Sequence, residues 1–165
     1  FNDHMPSISQ KIETGQSLAR FVERTGLNEE QFITLTKKLK DRKGEVKPAI
    51  ERLSRRALDI GIPLASHDDE TSEKRKFFDK IGCKIAEFPL CEEAINEAAT
   101  LQNNIILGAP NIIRGGSHMG ASGLSATENI RKGLGNILCS DYYYPSLTLS
   151  VNAIFCTITF VTYSL

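Results

Sequence analysis

Ile62-Pro-Leu-Ala-Ser-His-Asp-Asp69 decides how the rest of this chain reads. A short apolar run ends abruptly in an imidazole and two carboxylates. Three comparable runs follow: Lys84-Ile-Ala-Glu-Phe-Pro89, Ile105-Ile-Leu-Gly-Ala-Pro-Asn111 and Asn136-Ile-Leu-Cys-Ser-Asp141. Charged, helix-forming stretches separate them. Buried strand alternating with amphipathic helix builds a parallel sheet, so the predicted class is α/β. In a βα barrel, reactive side chains sit where strands run out into the following loops. His67, Glu87 and Asp141 occupy such positions.

Working outward, strand 62–66 delivers His67, and Thr71 or Ser72 caps a helix to Ile81 with Phe77, Phe78 and Ile81 as its buried stripe. Strand 83–88 follows, and helix 91–102 packs Ala94, Ile95, Ala98, Ala99 and Leu101 back over it. Strand 104–108 leads into a glycine-rich loop, 108–124, then helix 125–134 and strand 136–140. Upstream, Asn28 before Glu-Glu-Gln31 has the form of a capping box and predicts a helix to about Arg42. A second helix runs from Val46 or Pro48 to Leu58 and stops at Gly61. Phe1–His4 reads as a strand end, and Met5–Thr25 as a polar loop with a helical turn or two around Ser17–Arg24. Five strands cannot close an eight-stranded barrel. The chain is then either an open doubly wound sheet or the C-terminal part of a barrel.

Lys plus Arg equals Asp plus Glu at 20 each, so no net field recruits nucleic acid or an anionic membrane. The basic excess over residues 37–56 reads as a solvated helix face. Cys83, Cys91, Cys139 and Cys156 form no CxxC pair, which predicts reduced thiols in a cytoplasmic protein rather than a zinc ribbon or a disulfide framework. Phe1-Asn-Asp-His4 has no basic start and no long apolar stretch, so no signal peptide is expected, and the chain reads as cut from something longer. Ser146–Leu165 carries no charge and is rich in Thr, Ile, Val and Phe. It reads as β-prone or marginally membrane-like rather than as a barrel helix, with too many polar interruptions for a clear span.

His67, followed by Asp68, Asp69 and Glu70, offers ordinary ligation for zinc, manganese or iron. The same acids could equally serve a helix N-terminus. Asp141 at the end of an apolar run must be paired, ligated or neutralised if buried, or else caps a turn. In Gly108-Ala-Pro-Asn-Ile-Ile-Arg-Gly-Gly-Ser-His118, Gly115 and Gly116 let the backbone approach an anion, and Arg114, Ser117 and His118 supply donors. Glu87 either supports a ligand or ties the structure.

Four motifs taken together are far more specific: residues 64–71 (Leu-Ala-Ser-His-Asp-Asp-Glu-Thr), 85–89 (Ile-Ala-Glu-Phe-Pro), 108–118 and 139–147 (Cys-Ser-Asp-Tyr-Tyr-Tyr-Pro-Ser-Leu). In order and spacing over roughly residues 1–147 they resemble the amidohydrolase superfamily, and within it the triphosphate diphosphatases of the carbon–phosphorus lyase pathway. Asn2-Asp-His4 resembles that family's Asp-His at the fourth strand. The resemblance implies that residues 1–147 are about strands four to eight of a metal-dependent (β/α)₈ TIM barrel, with 148–165 outside it.

It further implies hydrolysis of ribose 1-methylphosphonate 5-triphosphate to the 5-phosphate plus pyrophosphate. A divalent metal, zinc or manganese, would sit on His4, His67 and Asp141. Asp141 and His118 would be the catalytic residues, Asp141 taking the proton from the attacking water. Arg114, Gly115, Gly116 and Ser117 would bind the triphosphate. Without the first three strands the chain alone would be inactive. Its partners would be the phosphorylated substrate and either a second copy of the chain or other phosphonate-pathway proteins, not nucleic acid or membrane. Family members continue the glycine loop as Ser-His-Ser-Gly-Asn, where this chain has Ser117-His-Met-Gly-Ala121, and Cys139 replaces a Ser. Two other readings follow from the same residues: a cyclic amide or ester hydrolase on the same barrel, and a non-catalytic interaction module.

Overall fold

The computed structural model describes residues 5–116 and 123–162. Two compact units divide the chain, Phe1–Leu53 and Ser54–Leu165.

The first unit is helical: α1 (Met5–Glu13), α2 (Ala19–Thr25), α3 (Glu29–Asp41), a 3-10 turn at Lys43–Glu45 and the start of α4 (Val46–Asp59). Much of the expected loop over Met5–Thr25 is therefore helix. Ile8 and Ile12, one turn apart, are both half-buried, a stripe too short to stand out from a polar background. The capping box before α3 is present. Asn28 Oδ1 accepts from the Gln31 amide at 2.9 Å, and Gln31 Oε1 accepts from the Asn28 amide at 3.1 Å. Phe21 and Phe32 stack at 6.2 Å within this unit.

The second unit is built on a parallel sheet of β1 (Leu64–His67), β2 (Cys83–Glu87), β3 (Asn104–Gly108) and β4 (Ile137–Cys139), in the order β1-β2-β3-β4. The connections are α5 (Ser72–Lys80), α6 (Glu92–Thr100), and α7 (Ala109–Arg114) with α8 (Ala126–Arg131); α9 (Pro145–Thr162) follows β4. Each strand lies beside the previous one, and right-handed crossovers in one direction put their helices on one face. The reversal that marks a doubly wound sheet is absent among the described strands. The strand expected at Phe1–His4 lies outside the described residues.

Ala86, Ile105 and Leu107 of the sheet pack against Ile95 and Ala98 of α6 and against Ile112, Leu124 and Ala126. Each fully buried Ile or Leu contributes about 2 kcal/mol. Three expectations need correcting. Phe77, Phe78 and Ile81 are only half-buried, and the buried side chain of α5 is Arg75. The glycine-rich loop begins as a helix, because Pro110 in the first turn of α7 has its φ preset for one. The tail is a helix too. Ser146, Ser150 and Ile154 recur at four-residue spacing; the two serines are buried, and Ile154 packs against the core. Ser150 Oγ donates to the Ala109 carbonyl of α7 at 2.9 Å. Packing has overridden the β-propensity of Thr, Ile and Val. Among the described residues no helix is long and apolar enough to cross a membrane. Cys83, Cys91 and Cys139 are free thiols.

Candidate functional site

Parallel register aligns the carboxyl ends of the strands, pairing His67 with Glu87, Glu87 with Ile106, and Gly108 with Cys139. Beyond those ends opens a cleft of about 310 Å³, lined by His67, Asp68, Phe88, Asn111, Arg114, Asp141 and Tyr142 among others. Three side chains singled out in separate motifs, His67, Arg114 and Asp141, thus face one cleft. His4, Ser117 and His118 lie outside the described residues.

Three residues at this rim have left-handed backbones: Asp68 (φ 57°), Phe88 (φ 52°) and Asp141 (φ 54°). A left-handed non-glycine residue costs roughly 1–2 kcal/mol, and bulky Phe is an uncommon occupant. Local bonds hold two of them. The Asp68 amide donates to the Glu87 carbonyl and the Phe88 amide to the Ile106 carbonyl, each at 3.0 Å. Backbone strain of this kind concentrates at functional sites. Nothing in the sequence distinguished Phe88 as one of these positions.

His67 is partly exposed and held from three sides. Asp68 Oδ1 lies 3.2 Å from Nδ1, Glu87 Oε2 lies 3.9 Å from Nε2, and the Phe88 ring meets the imidazole edge-on at 5.4 Å. A carboxylate at Nδ1 favours the tautomer protonated there, leaving the Nε2 lone pair to accept a proton or bind a cation. His67 and Glu87 are thus two suitable donors on adjacent strand ends. A structural or catalytic centre needs three or four. Among the described residues no group of three or more His, Cys, Asp or Glu side chains is placed to hold a metal ion.

Arg114 is exposed in the last turn of α7. The Gly115 amide donates to the Ile112 carbonyl at 3.1 Å and the Gly116 amide to the Asn111 carbonyl at 2.9 Å, a Schellman closure of the helix. Those two amides serve α7, so what the glycines offer a ligand is clearance. Asn111 stitches the far side of the loop. Its Nδ2 donates to the Leu124 carbonyl at 2.8 Å, and its Oδ1 accepts from the Ala126 amide at 3.0 Å. Asp141 does not end a buried strand: Ile137 is exposed and so is Asp141 itself. Its carboxylate is available to the cleft without a burial penalty. Cys83 sits at the other end of β2, and burial pushes its thiol up despite the opposing field of Arg75. It is not a poised nucleophile.

The fold and the cleft define an α/β protein with a histidine, carboxylates and an arginine at the carboxyl ends of parallel strands. No known family model matches the chain, and no solved structure matches it. Among curated proteins it is similar to the alpha-D-ribose 1-methylphosphonate 5-triphosphate diphosphatase of Escherichia coli strain K12. The identity is 46% over 86 residues, which make up 52% of this chain and 22% of that protein. The resemblance of the motifs to a triphosphate diphosphatase is borne out. The matched segment spans about a fifth of the relative's length.

Proposed function

We propose that this chain carries part of the active site of a phosphonate-pathway diphosphatase. In this reading residues 1–147 are the C-terminal portion of a metal-dependent (β/α)₈ barrel, about strands four to eight, and 148–165 lie outside the resemblance. The unreversed strand order supports a barrel over a doubly wound sheet. One observation carries the functional reading: a chain 46% identical over 86 residues to such an enzyme gathers His67, Arg114 and Asp141 around one cleft.

The reaction is hydrolysis of ribose 1-methylphosphonate 5-triphosphate between its first and second phosphates, releasing pyrophosphate and leaving the 5-phosphate. Asp141, exposed at the cleft, takes the proton from the attacking water. Arg114 pairs with phosphate oxygens and neutralises charge as it moves to the leaving pyrophosphate. Gly115 and Gly116 leave room for the triphosphate, and Ser117 and His118 add donors. His4, His67 and Asp141 would hold a divalent cation, zinc or manganese, which when bound would supply Lewis acidity toward water and phosphate oxygens. Asp68 and Phe88 keep the imidazole of His67 oriented. The setting is the cytoplasm, with a second copy or other phosphonate-pathway proteins as protein partners.

The test is pyrophosphate release from that substrate with zinc or manganese. It is measured for this chain alone and with a separate polypeptide supplying the first three barrel strands, alongside elemental analysis of bound metal. Release in either arm, with metal bound, is the expected result. A folded, metal-free chain inert in both arms would leave the interaction-module reading in its place.

A further inference from the structure

Arg75 is fully buried, although its neighbour Lys76 on α5 is exposed. Its Nη1 donates to Ser66 Oγ at 2.6 Å and to Asp69 Oδ2 at 3.0 Å, and its Nη2 donates to the Cys83 carbonyl. Ser66 Oγ donates in turn to Asp69 Oδ2 at 2.6 Å. One planar guanidinium therefore ties the end of β1, the loop after it and the start of β2. Its fork geometry is what a lysine lacks.

The tie brackets the site. Ser66 precedes His67 and Asp69 follows Asp68, so both cleft residues sit between two anchored neighbours. Successive strand residues point to opposite faces. Ser66 is buried toward Arg75, and His67 is exposed on the other face. Holding Ser66 from beneath thus fixes the rotation of the strand end above it. The Leu90 amide also donates to the Asp69 carbonyl at 3.0 Å, bringing the segment after Glu87 and Phe88 onto the same anchor. A buried ion pair is replaceable by apolar packing where only stability is at stake.

We propose that Arg75, acting through Ser66 and Asp69, is a positioning residue that sets the direction in which His67 presents its imidazole to the cleft. The inference rests on the reading of His67 as a site residue. Arg75→Lys, Arg75→Met and Ser66→Ala in the full chain test it. Each variant is followed by thermal unfolding, by nitrogen-15 correlation spectra of the histidine rings with His67 assigned through His67→Gln, and by pyrophosphate release. In folded Arg75→Lys and Ser66→Ala, the His67 ring signals shift and broaden, while the aromatic signals of Phe21 and Phe32 stay in place. Turnover falls about tenfold, as for other residues that orient a ligand. Should Arg75→Met not fold, Ser66→Ala decides. Lowered stability with unchanged His67 signals in the folded variants would reduce Arg75 to a structural tie and overturn the proposal. Wild-type chain that is metal-free and releases no pyrophosphate even with the first three strands supplied would sink the functional reading, and the ring signals would still decide the role of Arg75.

Discussion

Phe88 meets the imidazole of His67 edge-on, with ring centroids 5.4 Å apart and planes at 82°, from a backbone held at φ 52°. The aromatic contact and the backbone strain come from one residue, and substitution separates them. Phe88→Ala keeps the strain and loses the ring. Phe88→Gly loses both. The alanine variant is expected to lose about 1–2 kcal/mol, and the glycine variant to be more stable than it by about 1 kcal/mol. Urea unfolding midpoints give the order; alanine at or above glycine would show that the left-handed turn carries no strain.

Gly82 and Gly135 offer a second comparison. A Cβ at Gly82 (φ 96°) would lie 2.3 Å from Leu58 Cδ1, and one at Gly135 (φ 93°) 2.4 Å from Leu107 Cδ1. Leu58 is exposed and can turn aside, whereas Leu107 is buried in the core. Both alanine variants pay for the backbone, and Gly135→Ala adds overpacking of about 1–3 kcal/mol. Thermal unfolding should rank Gly135→Ala clearly below Gly82→Ala.

Asp141→Asn should abolish pyrophosphate release and leave the fold intact. The residue is exposed, so its substitution changes stability by no more than about 0.5 kcal/mol. Asparagine also tolerates the left-handed φ of 54°. Normal circular dichroism with lost turnover is the expected pair of results. Retained turnover would mean that the proton goes elsewhere.

Acid should weaken the second unit. Burial pushes the Asp79 carboxyl up, but hydrogen bonds from Lys84 (2.6 Å) and Asn103 (2.8 Å) outweigh it and hold the group below its usual range. The hydrogen bond from Asn129, helped by Lys132, does the same for Glu92. A carboxyl depressed in the folded state contributes its stability in full above its unfolded value. That contribution is lost as pH falls through the folded value. Unfolding midpoints should therefore drop below roughly pH 4, and Asp79→Asn should flatten that part of the profile. An unchanged profile in Asp79→Asn would assign the acid sensitivity to other groups.

How far the chain could be read in advance depended on whether a signal was local. The Asn28–Gln31 capping box and the Thr71 cap are fixed by neighbours in sequence, and both are present. The four parallel strands followed from apolar runs, and His67, Asn111 and Asp141, at the ends of three of those runs, line one cleft, whereas Glu87 does not. Arg75 could not be found this way, because between Lys74 and Lys76 it resembles any solvated charge. Only Ser66 and Asp69 arriving from elsewhere make it buried. The seam of α9 was hidden because its repeating positions 146 and 150 are serines, small enough for close helix approach but not apolar. Pro110 was a usable sign of α7 that the surrounding glycines obscured.

The strand order carries a last implication. Because the sheet advances one neighbour at a time without doubling back, each βα repeat is a module whose ladder is indifferent to the loop at its top. Lengthening or exchanging a segment such as 115–123, between the core residues Ile112 and Leu124, would rewrite the chemistry of the mouth and leave the pairing of Ile106 with Ile137 beneath it untouched. Architecture and reactivity are thus inherited by separate stretches of the same polypeptide, free to diverge at different rates.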